Sequence, residues 1–257
     1  MVHNTLTIAG SDSGGGAGIQ ADLKTFTALG VFGASVITAV TAQNTVAVTH
    51  VHVLPVDVVR AQLAAVLDDI RIDAIKIGML PTAEIIDAVS DALPDVPVVL
   101  DPVLIATSGA RLVDDDALSA MRRLAARATV ITPNLFEVGA LLGNEPPADV
   151  AAMEVAAQQL GARAALVKGG HLEGDSSVDV LWDGAALHRI EGQRIATEDT
   201  HGSGCTLSSA IAAHLARGLA LREAVVAAKA FVSDAIARAS ALDVGRGPGP
   251  LNHLHTP

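Results

Sequence analysis

The chain has no tyrosine, one tryptophan, four phenylalanines and a single cysteine in 257 residues. With so few rings there is no platform on which successive bases could stack. A net charge of −11 and the lack of any Lys/Arg cluster argue further against nucleic acid as a partner. One cysteine leaves no internal disulfide to form, which suits a reducing compartment, so a cytoplasmic location is expected. Met1-Val2-His3-Asn4-Thr5 offers no basic stretch and no cleavable apolar segment, so no secretory leader is expected. Charged side chains are missing altogether from Thr25 to Val56, a run long enough to span a bilayer. Gly30, Gly33 and the Gln43-Asn44 pair interrupt it, however. A helix end, a buried strand and a loop account for it better, and no membrane span is expected.

What the chain does have is apolar residue. Half of it is hydrophobic and 18% is charged, enough to fill a large core and to exclude disorder. Strands are expected at Leu6 to Ala9, Ala34 to Val40, Ala74 to Ile77, Val98 to Leu100, Thr129 to Thr132 and Ala165 to Lys168. Helices are expected over Ile19 to Leu29, Val56 to Ile70, after the capping Thr82, and near 114–126, 135–142, 150–160, 204–217 and 221–239. Val178 to Trp182 and Ala186 to Ile190 read as a hairpin around Asp183-Gly184. Short apolar strands alternating with helices predict an α/β fold with a mostly parallel sheet covered on both faces. No fixed-period repeat or low-complexity linker is visible, so one domain over residues 1–257 is expected. The Gly- and Pro-rich tail from Gly245 to Pro257 is expected to lie extended on the surface.

In such sheets ligands bind beyond the carboxyl ends of the strands. Gly78-Met79, Asp101, Asn134 and Lys168-Gly169 all fall there. Asp101 follows three apolar residues, where a carboxylate needs a compensating partner. Asn134 and Glu137 lie three apart on one helical face, and Asp101 with Glu137 could hold a hydrated Mg²⁺. Lys168 ends a buried strand, where it could neutralise a transferring phosphoryl group. Thr200-His201-Gly202-Ser203-Gly204-Cys205 is a small-residue turn opening into a helix whose N–H groups favour an anion by roughly 0.3–2 kcal/mol. Cys205 is either a small core residue or, at a helix N-terminus, a thiol with a lowered pKa.

The Gly10 to Gly18 loop is not a Walker A loop, because no Gly-Lys-Ser/Thr follows. Gly16-Ala17-Gly18-Ile19-Gln20-Ala21 fits G-x-G-x-x-A, but Val40-Thr41-Ala42-Gln43 puts no acid at the end of the second strand, which weakens a dinucleotide reading. The better reading is a loop folding over a small substrate, reached by Asp22 from the next helix. His50 and His52 share a strand face by spacing and lack a third ligand, which argues against a metal.

Thr7 to Asp22, Lys76-Ile77-Gly78-Met79-Leu80, Asp101-Pro102-Val103, Thr132-Pro133-Asn134, Lys168-Gly169-Gly170-His171 and Thr200 to Cys205 together resemble the hydroxymethylpyrimidine/phosphomethylpyrimidine kinases of thiamine synthesis, within the ribokinase-like superfamily. The likeness runs from about residue 5 to Gly247-Pro248-Gly249-Pro250, with the motifs in the family's order. It implies a three-layer α/β/α fold, use of ATP and Mg²⁺, and two successive phosphorylations of 4-amino-5-hydroxymethyl-2-methylpyrimidine (HMP). By the same resemblance, Gln43 would pair with the pyrimidine edge, with Gly10, Asp22 and Met79 lining its pocket. Asn134 and Glu137 would serve Mg²⁺ and ATP phosphates near Asp101. Lys168, Thr200 and Ser203 would contact the phosphoryl chain, Gly202 and Gly204 would form the anion hole, and Cys205 would take the hydroxyl proton. A homodimer is implied. The nearest alternative is a pyridoxal kinase of the same superfamily; a non-catalytic pyrimidine-binding protein is a third.

Overall fold

The structure, a computed structural model, describes residues 1–104, 114–170, 172, 174 and 176–254. Among these, nine strands build one sheet: β1 (Asn4–Asp12), β2 (Phe32–Gln43), β3 (Val48–Val53), β4 (Ala74–Ile77), β5 (Val98–Leu100), β6 (Val130–Ile131), β7 (Ala165–Val167), β8 (Ser176–Trp182) and β9 (Leu187–Gln193). Their spatial order is β3-β2-β1-β4-β5-β6-β7-β8-β9. From β2 to β7 neighbouring strands run parallel, whereas β3 and β8 pair antiparallel at the two flanks.

Among the described residues, eight α-helices cover the sheet: α1 (Gly18–Ala28), α2 (Val56–Leu67), α3 (Ala83–Ala92), α4 (Asp115–Ala125), α5 (Leu135–Leu142), α6 (Val150–Gln159), α7 (Ser203–Ala216) and α8 (Leu221–Ala237). Successive strand residues point to opposite faces, and both faces are apolar here. Leu6, Ile8, Ile75, Ile77, Val98, Leu100, Ile131 and Val167 pack with α2 to α6. Val99, Val130, Leu166 and Leu181 pack with α1, α7 and α8. The result is the expected three-layer α/β/α arrangement. No helix among the described residues is long and apolar enough to cross a membrane.

The same alternation sets the polar residues. Thr7, Lys76, Asp101, Thr132 and Lys168 each sit one position from a residue of the α2–α6 face, so all five project toward α1 and α7. A polar stripe thus crosses the sheet beneath those two helices, at its carboxyl end.

Three expectations need correction. β1 and β2 outrun their expected bounds, because the ladder continues past a bulge through Ser11↔Val40 and Asp12↔Thr41. Gly10 therefore lies in a strand, and the loop begins after Asp12. The tail does not simply lie on the surface. Leu251 and His253 are buried, and the Asn252 N–H donates to the Ala235 carbonyl of α8. His253 and Pro257 bound its end, of which residues 255–257 fall outside the description, as does His171 of the Lys168 motif.

Candidate active site

The glycine loop is fixed by its own first residue. The Asp12 carboxylate accepts hydrogen bonds from the N–H groups of Gly14 (2.8 Å), Gly16 (3.0 Å) and Ala17 (2.9 Å). Those donors are spent, so they cannot cradle a pyrophosphate, and the dinucleotide reading loses its physical basis. The Asp12 carboxyl sits below its usual range: burial raises it, but His201 and the loop N–H groups outweigh that. His201 Nε2 lies 3.2 Å from Asp12 and 3.4 Å from Gln43 Nε2. His201, which the motif alone leaves without a task, ties the loop to both the start of α7 and the end of β2.

Gly10 and Met79 meet: a Cβ on Gly10 would stand 2.7 Å from Met79 Cε. Gln43 is partly exposed at the end of β2, its backbone latched to Ser13 Oγ at 2.8 Å. These three lie at the carboxyl ends of the neighbouring strands β1, β4 and β2. Asp22 does not join them, which corrects the expectation that it reaches the substrate. It is 0% exposed, and both its oxygens are held by Lys76 Nζ at 2.8 Å, with Thr7 Oγ1 and Ser209 Oγ each donating at 2.6 Å. Lys76 is equally buried, and its ammonium is held well above the usual lysine range: burial opposes the charge, but Asp22, Cys205 and Asp101 more than offset it. The sequence signal for this pair is a Lys inside the apolar run Ala74 to Ile77.

The opposite side of the cleft is charged. Lys168 Nζ lies 2.8 Å from Asp101 Oδ1, with the lysine side chain 14% exposed. Thr132 Oγ1 (3.1 Å) and Ser208 Oγ (3.4 Å) also donate to Asp101. Burial raises the Asp101 carboxyl, yet Lys168 and Lys76 bring it below its ordinary value; Lys168 is raised correspondingly. Asn134 caps α5 in a reciprocal box: its side chain accepts from Glu137 N at 2.9 Å, and Glu137 Oε2 accepts from Asn134 N at 2.7 Å. Burial pushes the Glu137 carboxyl up to about 7 against the pull of Lys168.

Between the two sides stands the start of α7. Gly202 takes φ +85°, a left-handed conformation, and is pressed against the Gly16 carbonyl so closely that no Cβ would fit. Thr200 is exposed, and its carbonyl accepts the Ser203 N–H at 3.1 Å. The N–H groups of Gly204 and Cys205 lie in the first turn, where no intrahelical acceptor exists. A Cβ on Gly204 would lie 3.2 Å from Lys168 Nζ and 3.7 Å from Asp101 Oδ2. The Lys168–Asp101 pair thus sits at the mouth of α7, whose first-turn N–H groups favour negative charge.

Of the two readings of Cys205, the lowered thiol pKa is not what its surroundings favour. Its thiol is pushed up to about 11, because burial dominates; Lys76 and the Gly18 N–H favour the thiolate, while Asp22 and Asp101 oppose it. The helix start alone does not make it a thiolate.

An anion seat at a helix mouth, a lysine and a carboxylate pair at the carboxyl end of a parallel sheet define a small-molecule phosphotransferase of ribokinase-like fold. The family of phosphomethylpyrimidine kinases matches the chain over residues 12–252. The hydroxymethylpyrimidine/phosphomethylpyrimidine kinase of Rhizobium meliloti is 51% identical over 261 residues, covering 99% of this chain and 98% of that protein. Among solved structures, an ADP complex of Bacillus subtilis pyridoxal kinase superposes with a TM-score of 0.91 at 40% identity, covering 98% of each chain. The phosphomethylpyrimidine kinase of Clostridium difficile 630 gives 0.80 at 42% identity, over 91% of this chain and 99% of that one. The chain belongs to the phosphomethylpyrimidine kinase family, and it is a kinase.

Proposed function

We propose that the chain transfers the γ-phosphoryl group of ATP to the hydroxymethyl oxygen of HMP, and then to the resulting monophosphate, within thiamine synthesis. The observation that carries this reading is the Gly204–Lys168 approach, which leaves a positively polarised seat for the transferring phosphoryl group. Lys168, Thr200 and Ser203, with the N–H groups of Gly202 and Gly204, hold the phosphates. Gln43 pairs with the amino and ring-nitrogen edge of the pyrimidine, and Gly10 and Met79 pack its face. Cys205 receives the hydroxyl proton of HMP in its thiolate form, which burial disfavours at neutral pH. Asp22 acts from beneath rather than by touching substrate.

Mg²⁺ fits the residues present: Mg²⁺ takes one or two carboxylates with waters and substrate phosphates. Asp101 and Glu137 are the carboxylates nearest Lys168, and Asn134 fixes Glu137. No three-ligand cluster occurs among the described residues. Asp101 and Glu137 would hold the ion through water, where it would neutralise charge on the phosphates.

The reaction is cytoplasmic and the working unit is a homodimer. Exposed Val48, Val51 and Val53 on the edge strand β3, beside exposed Val40, support an association surface. A second reading, pyridoxal phosphorylation, is favoured by the closer superposition on the Bacillus subtilis pyridoxal kinase. ATP turnover with HMP and with pyridoxal, following HMP mono- and diphosphate separately, tests both. Exclusive turnover of pyridoxal, or HMP binding without ATP consumption, refutes the proposal.

A further inference from the structure

The residues that follow Gln43 have little of their own to hold them in place. Asn44, Val46, Ala47 and the whole of β3 are exposed, so almost no apolar burial within the chain fixes this corner of the sheet. Local hydrogen bonds shape it: Asn44 Oδ1 accepts the N–H groups of Val46 (2.9 Å) and Ala47 (3.0 Å). Ser13 of the glycine loop latches the Gln43 backbone. The turn beyond is fastened from the other end of the chain. Thr45 Oγ1 accepts the N–H groups of Arg246 and Gly247, each at 3.2 Å. Gly245, at φ +77°, lies against the Thr45 side chain and Gly247 against the Thr45 carbonyl, both too closely for any Cβ. From there the tail crosses to the mouth of α7. The Gly249 N–H donates to Asp199 Oδ1 at 2.7 Å, and the Gly249 carbonyl accepts the backbone N–H of His201 at 3.3 Å. Pro250 packs beside the glycine loop, where a Cβ on Gly16 would stand 3.2 Å from Pro250 Cβ. Beyond it the tail is moored. Leu251 joins the apolar layer of α1, α7 and α8, and His253 Nε2 stands 2.9 Å from Thr206 Oγ1 of α7, both residues buried.

We infer that Thr45 and the tail segment 245–253 are positioning elements of the acceptor pocket: the moored tail clasps Thr45 and so holds the Gln43 amide at a set distance from the phosphoryl seat at α7. The inference rests on the reading of Gln43 as the residue that meets the acceptor ring. Thr45 and the tail act through Gln43, not on the reacting atoms. The clasp matters because a group misplaced by about 1 Å costs on the order of 10²-fold in rate. The side chain most exposed to such drift is the one at the end of β2, next to a turn with no core beneath it.

Thr45→Val removes the accepting oxygen at nearly unchanged size and strands two N–H groups of the tail, whereas Gly247→Ala forces the two backbones of the clasp apart. Each should raise KM for HMP roughly tenfold while kcat and KM for ATP stay within about twofold, and Thr45→Ser, which keeps Oγ, should match the native chain. Because both changes open one clasp, the double variant should be no worse than the worse single variant. Hydrogen–deuterium exchange over residues 42–50, read by mass spectrometry, should quicken in both single variants, a readout that needs no turnover and no choice of acceptor. Should Gly247→Ala fail to fold, the Thr45→Val and Thr45→Ser pair still decides. An unchanged KM for the acceptor, or unchanged exchange over 42–50, overturns the inference. So do equal rises in KM for both substrates, the mark of a general brace, and losses that multiply in the double variant, the mark of a Thr45 that touches the acceptor itself. Quickened exchange in a protein that phosphorylates only pyridoxal, with the KM for pyridoxal raised in the same way, would uphold the clasp and refute the proposed substrate instead.

Discussion

Alanine at Gly204 and alanine at Gly202 differ by one methyl each, two residues apart, yet should fail in opposite ways. Gly202 sits at φ +85° against the Gly16 carbonyl. A left-handed non-glycine residue costs about 1–2 kcal/mol before any clash is counted. The added methyl must also push the α7 start and the glycine loop apart, backbone against backbone. At roughly 2–4 °C per kcal/mol for a chain of this size, Gly202→Ala should melt at least about 3 °C lower. Displacing the helix mouth by a fraction of an ångström should cost on the order of 10²-fold in kcat/KM. Gly204 is inside α7 with no positive φ, and its Cβ would meet the end of the Lys168 side chain at 3.2 Å rather than backbone. Alanine is the better helix former by up to about 1 kcal/mol, so Gly204→Ala should keep or raise the melting temperature. Its methyl nonetheless occupies the side of the phosphoryl seat that faces Lys168, and activity should fall at least about tenfold. Thermal melts and steady-state kinetics with ATP and HMP read both effects. A Gly204→Ala variant with unaltered kcat and KM for ATP would refute the placement of the anion between Gly204 and Lys168.

A lysine distant from the cleft should also reach the nucleotide: Lys229 Nζ lies 2.8 Å from Asp179, whose other oxygen accepts the Gly169 N–H at 2.9 Å. Lys229→Met strands that carboxylate, at a cost of about 3–5 kcal/mol, so the melting temperature should drop by at least about 6 °C and KM for ATP should rise as the Lys168–Gly169 turn loosens. An unshifted melt would contradict this. Glu137 carries its proton up to about pH 7, against an ordinary 4.5. A raised carboxyl in the folded state contributes stability that is present below 4.5 and lost as pH climbs through 7. Melting temperature should therefore fall between pH 5 and 8 more steeply in the native chain than in Glu137→Gln, and a steeper fall in the variant would reverse the argument. Gln43→Leu should raise KM for HMP roughly tenfold or more, by stranding the polar edge of the pyrimidine, while leaving the melt within about 1 °C. Unchanged KM would remove Gln43 from the pocket.

Element type was legible in the residues because local periodicity carries it. The apolar runs Ala74–Ile77, Val98–Leu100 and Ala165–Val167 had to be strands buried on both faces. The candidate cleft was legible for a related reason: polar residues that end such strands, as Asp101 and Lys168 do, are costly unless they do something. The capping box of Asn134 and Glu137 and the turn at Gly202 could likewise be expected from short stretches, because each is made by near neighbours, whereas the meeting of Gly10 and Met79 was implied only by the family resemblance.

What spacing could not supply was which distant charge meets which. Lys76 read as one polar residue in a strand. Its partner lies 54 residues away on α1, and its influence on Cys205 exists because two helices and a strand converge there. Asp22, expected at the substrate, is turned inward by that same ammonium. The thiol shows the difference most clearly. Local sequence gave it a helix N-terminus, which lowers a thiol pKa, whereas the folded surroundings add burial and two carboxylates, which raise it to about 11. Periodicity is a property of neighbours along the chain, and it chose strands, helices and their buried faces. Charge acts through space, so only the packing of α1 and α7 over β4 decided the ionisation of the groups between them.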